Sequence, residues 1–144
     1  MTQQNLSMAL FSEILAMDHI AKSALAKALP KGMEISHFAV LNYLHTLGEE
    51  RSPGQLARSF SVTKGAMTNT LSKLETAGYV AIRPAWDDAR RKLVAISPAG
   101  VTAHDLALGN IAPLAQKIED RLGADDLKSL LRAFRRIREV FSQV

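Results

Sequence analysis

Apolar residues recur at helical spacing over most of this chain, and the interruptions mark its boundaries. From Leu6 to Leu29 the residues Leu10, Phe11, Ile14, Leu15, Met17, Leu25 and Leu29 fall near a 3.6-residue period, which predicts a long first helix ended by Pro30-Lys31-Gly32. Phe38, Val40, Leu41, Leu44 and Leu47 predict a second over about Ser36 to Leu47, with Gly48 where a left-handed C-terminal cap belongs. Ser52-Pro53, an N-cap followed by Pro at the first helical position, opens a short third helix that turns Leu56 and Ala57 inward and stops near Phe60. Ser61-Val62-Thr63 then supplies a turn and a new cap. Met67, Leu71 and Leu74, at i, i+4 and i+7, define the buried side of a fourth helix that ends at Ala77-Gly78.

The period then changes. Tyr79-Val80-Ala81-Ile82-Arg83 is β-prone and closed by Pro84, a polar stretch runs from Trp86 to Arg91, and Leu93-Val94-Ala95-Ile96-Ser97 is β-prone again, so the three read as a hairpin with a charged loop. Ser97-Pro98 is another cap-plus-Pro start, and Val101, Leu106, Leu108, Ile111, Leu114 and Ile118 carry a helix toward Arg121. Pro113 removes a hydrogen bond and crowds the preceding turn, so a kink or break is expected near Gly109 to Ala112. After Gly123 a last helix shows the stripe Leu127, Leu130, Leu131, Phe134, Ile137, Val140 and Phe141.

Composition narrows what this helical chain can be. With 144 residues, 47% apolar and 22% charged, one compact domain with a full core is expected. Zero Cys removes disulfides and thiolate metal sites. No run approaches the roughly 20 apolar residues of a membrane span, and Met1 to Leu10 lacks the basic start and cleavage site of a signal peptide. A soluble cytoplasmic protein with no membrane partner is the expectation. The net charge of +4 is unevenly spread: residues 51–94 hold eight basic groups against three acidic ones, whereas residues 1–50 hold three against five. A polyanion suits the basic middle third, although a solvated Lys/Arg surface gives the same sum.

That basic segment has its own order: short helix, three-residue turn, second helix with Thr63, Lys64, Thr68 and Asn69 on its polar face, then a two-stranded wing. This is the winged helix-turn-helix arrangement, in which a helix enters the major groove while its apolar face, here Met67, Leu71 and Leu74, stays anchored. Here the sequence resembles the MarR family of bacterial transcription regulators over nearly its whole length. The residues that carry the likeness are Leu56-Ala57, Val62, Leu74-Glu75, Gly78, Tyr79-Val80, the wing triplet Asp88-Ala89-Arg90, and Ser97 with Gly100 three residues on.

The resemblance implies a mainly α fold: a winged helix-turn-helix DNA-binding lobe over 34–97 with a small β-hairpin wing, and dimerisation helices over 1–33 and 98–144, within a single domain of 1–144. It implies a homodimer that offers one recognition helix to each half-site of a pseudo-palindromic double-stranded DNA operator, more often as repressor than activator. Asn69 can pair bidentately with adenine, Lys64 can meet guanine or phosphate, and Ala66 and Thr68 can meet a thymine methyl. The family often has Arg where this chain has Asn69. Thr63 is expected to cap the helix and touch the DNA backbone, and Ser52, Ser72 and Lys73 to contact phosphate. In the wing, Arg90 is expected to enter the minor groove, Asp88 to orient the hairpin, and Arg91 and Lys92 to add backbone affinity.

Each candidate also has a plainer reading: Thr63 as a cap only, Lys64 and Asn69 as solvated helix residues, Trp86 packed at the base of the hairpin. A small-molecule effector between the dimerisation helices and the DNA-binding lobe would face His19, Met33, His37, Phe38 and Leu41, judged by position. His37 and His45 lie eight apart on roughly one helical face, but a metal needs a third partner from elsewhere, so no metal and no cofactor are expected. No phosphate loop, nucleophile elbow or zinc-protease signature points to an enzyme. The alternative class is a winged-helix module that binds protein and not DNA, which the basic middle third counts against.

Overall fold

The computed structural model describes residues 2–143. In chain order it contains α1 (Gln3–Ala28), α2 (Ile35–Leu47), α3 (Pro53–Ser59), α4 (Lys64–Thr76), β1 (Val80–Pro84), β2 (Lys92–Ile96) and α5 (Pro98–Ser142). The chain divides into two compact units, Met1–Asn110 and Ile111–Val144. No helix among the described residues is long and apolar enough to cross a membrane.

The core of the first unit is built from the residues that the helical periods turn inward. Val40, Leu41 and Leu44 of α2, Leu56 and Ala57 of α3, Met67, Leu71 and Leu74 of α4, and Val80 and Val94 of the strands are all buried. Burying each Leu or Met here is worth about 1.5–3 kcal/mol relative to leaving it exposed, which fixes α4 against α2 and α3. By contrast, α1 has no buried residue along its 26-residue length.

The helix ends follow from local chemistry. Thr63 Oγ1 accepts from Ala66 N–H at 3.1 Å, and Ser52 and Gln55 form a reciprocal capping box at the start of α3. Gly48 ends α2 in the left-handed region at φ 66°. Helix α3 closes in a Schellman motif, with Ser61 N–H on Arg58 O and Val62 N–H on Ala57 O, and Ser61 takes the positive φ of 52° that this closure demands. The four-residue connection between α3 and α4, Phe60 to Thr63, is therefore rigidly specified although it contains no glycine. Thr63→Ala should cost about 1 kcal/mol through loss of the α4 cap, readable as a lowered urea midpoint at unchanged slope.

Strands β1 and β2 pair antiparallel, with Val80 opposite Ile96 and Pro84 opposite Lys92. Arg51 adds a one-residue third strand by exchanging two backbone hydrogen bonds with Val94, at 3.1 and 2.8 Å. At the start of α5, Ser97 Oγ accepts from Gly100 N–H and donates to Gly78 O, while Ser97 N–H bonds Tyr79 O. This knot ties α5 to the end of α4.

In α5 the break expected near Gly109 to Ala112 does not occur. The backbone stays helical through Gly109 to Pro113, and Gly123, at φ 80° and ψ 163°, is the residue that leaves helical geometry. Both Gly109 and Pro113 are exposed, so the Gly109 carbonyl that Pro113 cannot serve is open to water. In the second unit the stripe around Leu130, Leu131, Phe134 and Val140 is exposed.

Candidate nucleic-acid interface

Helix α4 has two chemically distinct sides. Met67, Leu71 and Leu74 are at most 3% exposed, whereas Thr63, Lys64, Ala66, Thr68, Asn69, Ser72 and Lys73 are all exposed. The apolar anchor consumes one face and leaves a protruding polar ridge about one helix wide, which is the width a major groove admits. Thr63 is the observed cap, so its acceptor is occupied by Ala66 N–H while its hydroxyl hydrogen remains available to a phosphate oxygen. Ser52 is half-buried and caps α3 in the same way through Gln55 N–H, at 3.1 Å.

The wing loop is shaped by its acids. Asp88 Oδ1 accepts from Arg90 N–H at 3.0 Å and lies 3.5 Å from Arg90 Nε, and the Arg90 side chain is 94% exposed. Asp88 thus orders the turn without covering the guanidinium. The Arg91–Asp87 pair, at 3.6 Å, is similarly open, and such exposed pairs hold their partners only weakly. Trp86 does not pack at the base of the hairpin: it is 93% exposed, with the Arg83 guanidinium 5.6 Å from its ring centroid. Pairing of Ala85 N–H with Arg91 O ends the ladder beside it and leaves the indole outside the core.

Sequence reasoning overcounted the free positive charge. Arg83 is held by Glu50 through two hydrogen bonds, 3.0 Å from Nε to Oε1 and 2.6 Å from Nη2 to Oε2. Arg51 donates to Glu49 at 2.9 Å, and that hydrogen bond raises its pKa further above the ordinary guanidinium value. Both acids lie just outside the 51–94 block, so two of its eight basic groups are matched from α2's exit loop. The cations left on the surface are Arg58, Lys64, Lys73, Arg90, Arg91 and Lys92, on α3, the recognition ridge and the wing.

Residues 31–91 match the model of the MarR family. The MarR fold extends over the rest of the chain: a cysteine-to-serine mutant of MarR from E. coli, complexed with operator DNA, superposes with a TM-score of 0.80 at 23% identity, over 95% of this chain and 99% of that one. The transcriptional regulator BldR from Sulfolobus solfataricus gives 0.76 at 22% identity, over the whole of both chains. PcaV from Streptomyces coelicolor, in complex with its natural ligand, gives 0.73 at 19% identity, over 90% and 89%. A comparison with curated proteins finds no sequence match.

Within this MarR-like fold, a cavity of about 480 Å3 opens behind α4. Met33 and His37 line it, together with Ser72, Lys73 and Leu74 of α4 and Tyr79. His37 Nδ1 accepts from Glu34 N–H at 3.0 Å and so braces the start of α2, which leaves Nε2–H as the ring's donor. The other effector candidates lie elsewhere. Leu41 is fully buried in the core, Phe38 stacks on His104 at 5.6 Å, and His19 is exposed on α1. Lining residues Ser72 and Lys73 are also the expected phosphate contacts, so one stretch of α4 borders both surfaces.

The structure does not join His37 to His45 but gives His45 other neighbours. His45 has His104 beside it, with ring centroids 4.5 Å apart, and Asp105 follows directly. His37 is not part of this group. Only the fold brings α2 and α5 together here, and nothing in the spacing of His45 and His104 along the chain announces it.

Proposed function

We propose that the chain is a sequence-specific double-stranded DNA-binding transcription regulator, working as a homodimer on a pseudo-palindromic operator. The observation that carries this reading is the two-sided α4, with an apolar anchor sealed in the core and Thr63, Lys64, Thr68 and Asn69 projecting from the other face. The likeness to MarR bound to operator DNA supports it. Dimerisation is supported by the apolar side chains left exposed on α1, among them Leu6, Met8, Leu15 and Ile20, and on α5, among them Leu130, Leu131 and Val140. A chain with this much uncovered apolar surface at both ends has a second copy as its natural cover. Half-sites then lie roughly 10 base pairs apart or a multiple of that.

In this reading the chain is a ligand-responsive repressor, with Ser52, Thr63, Lys64, Ala66, Thr68, Asn69, Ser72, Lys73, Asp88, Arg90 and Arg91 forming the DNA surface. The effector is a small molecule in the cavity behind α4, supported by the likeness to PcaV, whose structure holds its natural ligand. Met33 and His37 grip it; filling the cavity shifts Ser72 and Lys73 and with them the phosphate contacts. A coupling of about 1–3 kcal/mol is enough to release DNA.

Selection of fragments from a random duplex pool tests the reading. The expected outcome is enrichment of an inverted repeat, bound with an affinity that falls steeply with salt, at a log–log slope approaching about −11 if the six surface cations of each protomer all neutralise phosphates. Recovery of no repeat, together with an affinity indifferent to salt, would instead identify a protein-binding winged helix.

A further inference from the structure

The cluster of His45, His104 and Asp105 is not used by the regulator reading, and its chemistry is unusual for a core. His104 is 2% exposed, yet both of its ring nitrogens face oxygen: Nε2 lies 2.9 Å from Asn42 Oδ1 and Nδ1 lies 3.0 Å from Asp105 Oδ1. A neutral imidazole carries one N–H, so with the Asn42 carbonyl on Nε2 the ring donates there and turns its Nδ1 lone pair toward the Asp105 side. A cation on the Asp105 side fits this setting, because the ring donates Nε2–H to Asn42 and directs the Nδ1 lone pair at the ion. A metal-binding histidine whose other nitrogen donates to a carbonyl oxygen is the usual arrangement, and it fixes both tautomer and ring orientation. The Phe38 ring, stacked at 5.6 Å with an interplanar angle of 5°, pins the imidazole from the side.

We propose that His45, His104 and Asp105 form a binding site for a divalent transition-metal ion of the Zn2+ class. The ligand atoms of the three residues lie within 4.8 Å of one another. Around a tetrahedral Zn2+, with bonds of about 2.0–2.2 Å, ligand atoms stand roughly 3.3 Å apart. The His104–Asp105 pair, at 3.0 Å, lies a few tenths of an ångström inside that spacing, and closing the remainder falls to His45, whose side chain is exposed. Two imidazoles and one carboxylate, with water in the fourth position, select Zn2+, Co2+ or Ni2+ over Mg2+ and Ca2+, which take oxygen. With no Cys in the chain, soft-metal capture is absent. Bound metal would brace the end of α2 to the start of α5, within the unit that holds the recognition helix.

The test is titration of the metal-free full-length chain with Co2+ and then Zn2+. One equivalent of Co2+ should give the visible d–d absorption of a four-coordinate ion, Zn2+ should displace it, and the zinc-loaded chain should melt at a higher temperature. His104 is buried, so its loss risks misfolding; His45→Ala and Asp105→Asn alter exposed groups and should each abolish the spectrum while the chain stays folded by circular dichroism. His19→Ala, on α1 and outside the cluster, should leave it intact. The proposal is overturned if the parent chain shows no stoichiometric four-coordinate Co2+, or if the His45 and Asp105 variants bind as the parent does. No DNA enters the measurement, so its failure leaves the regulator reading standing.

Discussion

Gly100→Ala is expected to destabilise the fold by about 3 kcal/mol or more, at the upper end of what overpacking costs. A Cβ at this position would lie 2.0 Å from the Tyr79 carbonyl oxygen and 2.8 Å from Ile96 Cγ1. The first obstacle is backbone, held in place by the Ser97 N–H, so no side-chain rotation relieves it. In a chain of 144 residues about 3 kcal/mol corresponds to a fall in melting temperature of roughly 10 °C. Gly109 supplies the internal control: it lies in the same helix, and a Cβ there meets nothing within 4 Å. Gly109→Ala should therefore move stability the other way, by up to about 1 kcal/mol, because alanine loses less backbone freedom on folding. Thermal melts of the two variants side by side decide the matter. If Gly100→Ala melts with the parent, the close seat of α5 on Tyr79 is wrong.

The same position shows how much of the fold was legible in the sequence, and in what form. The pairing of Ser97 with Gly100 is readable as part of a family pattern, but its reason, a helix start pressed against a carbonyl, exists only in three dimensions. Helix periods and caps are local properties of the chain, which is why Thr63, Ser52 and Gly48 end their helices where the sequence places them. Two kinds of information were out of reach. Charge balance depends on which residues fold back, and Glu49 and Glu50, read as part of an acidic block, turn out to hold Arg51 and Arg83. The partners of a lone histidine likewise depend on packing, and His45 meets His104 across elements that are 59 positions apart. Pro113 does not break the helix for a physical reason: in an exposed turn water serves the carbonyl that the ring cannot, and the residue able to leave helical space is Gly123, at a positive φ.

Asn69→Ala is expected to cost operator affinity between about 30-fold and 20,000-fold. A bidentate amide–adenine contact is worth about 1–3 kcal/mol of discrimination, and a two-fold symmetric dimer loses it at both half-sites. Stability should move by less than about 0.5 kcal/mol, because Asn69 is exposed and alanine is the better helix former. The variant therefore separates reading from folding. Asn69 is neutral, so the salt dependence of binding should stay as it is while one base position in each half-site loses its preference. Lys73→Ala supplies the contrast: it should weaken all sequences alike and make the salt slope shallower by about two for the dimer, one per phosphate contact. Anisotropy titrations of both variants on the selected duplex and its single-base substitutions, at two salt concentrations, resolve the pattern. Should Asn69→Ala bind every substituted duplex with the parent's full set of preferences, the ridge of α4 does not read bases, and the polar residues along it are solvated surface.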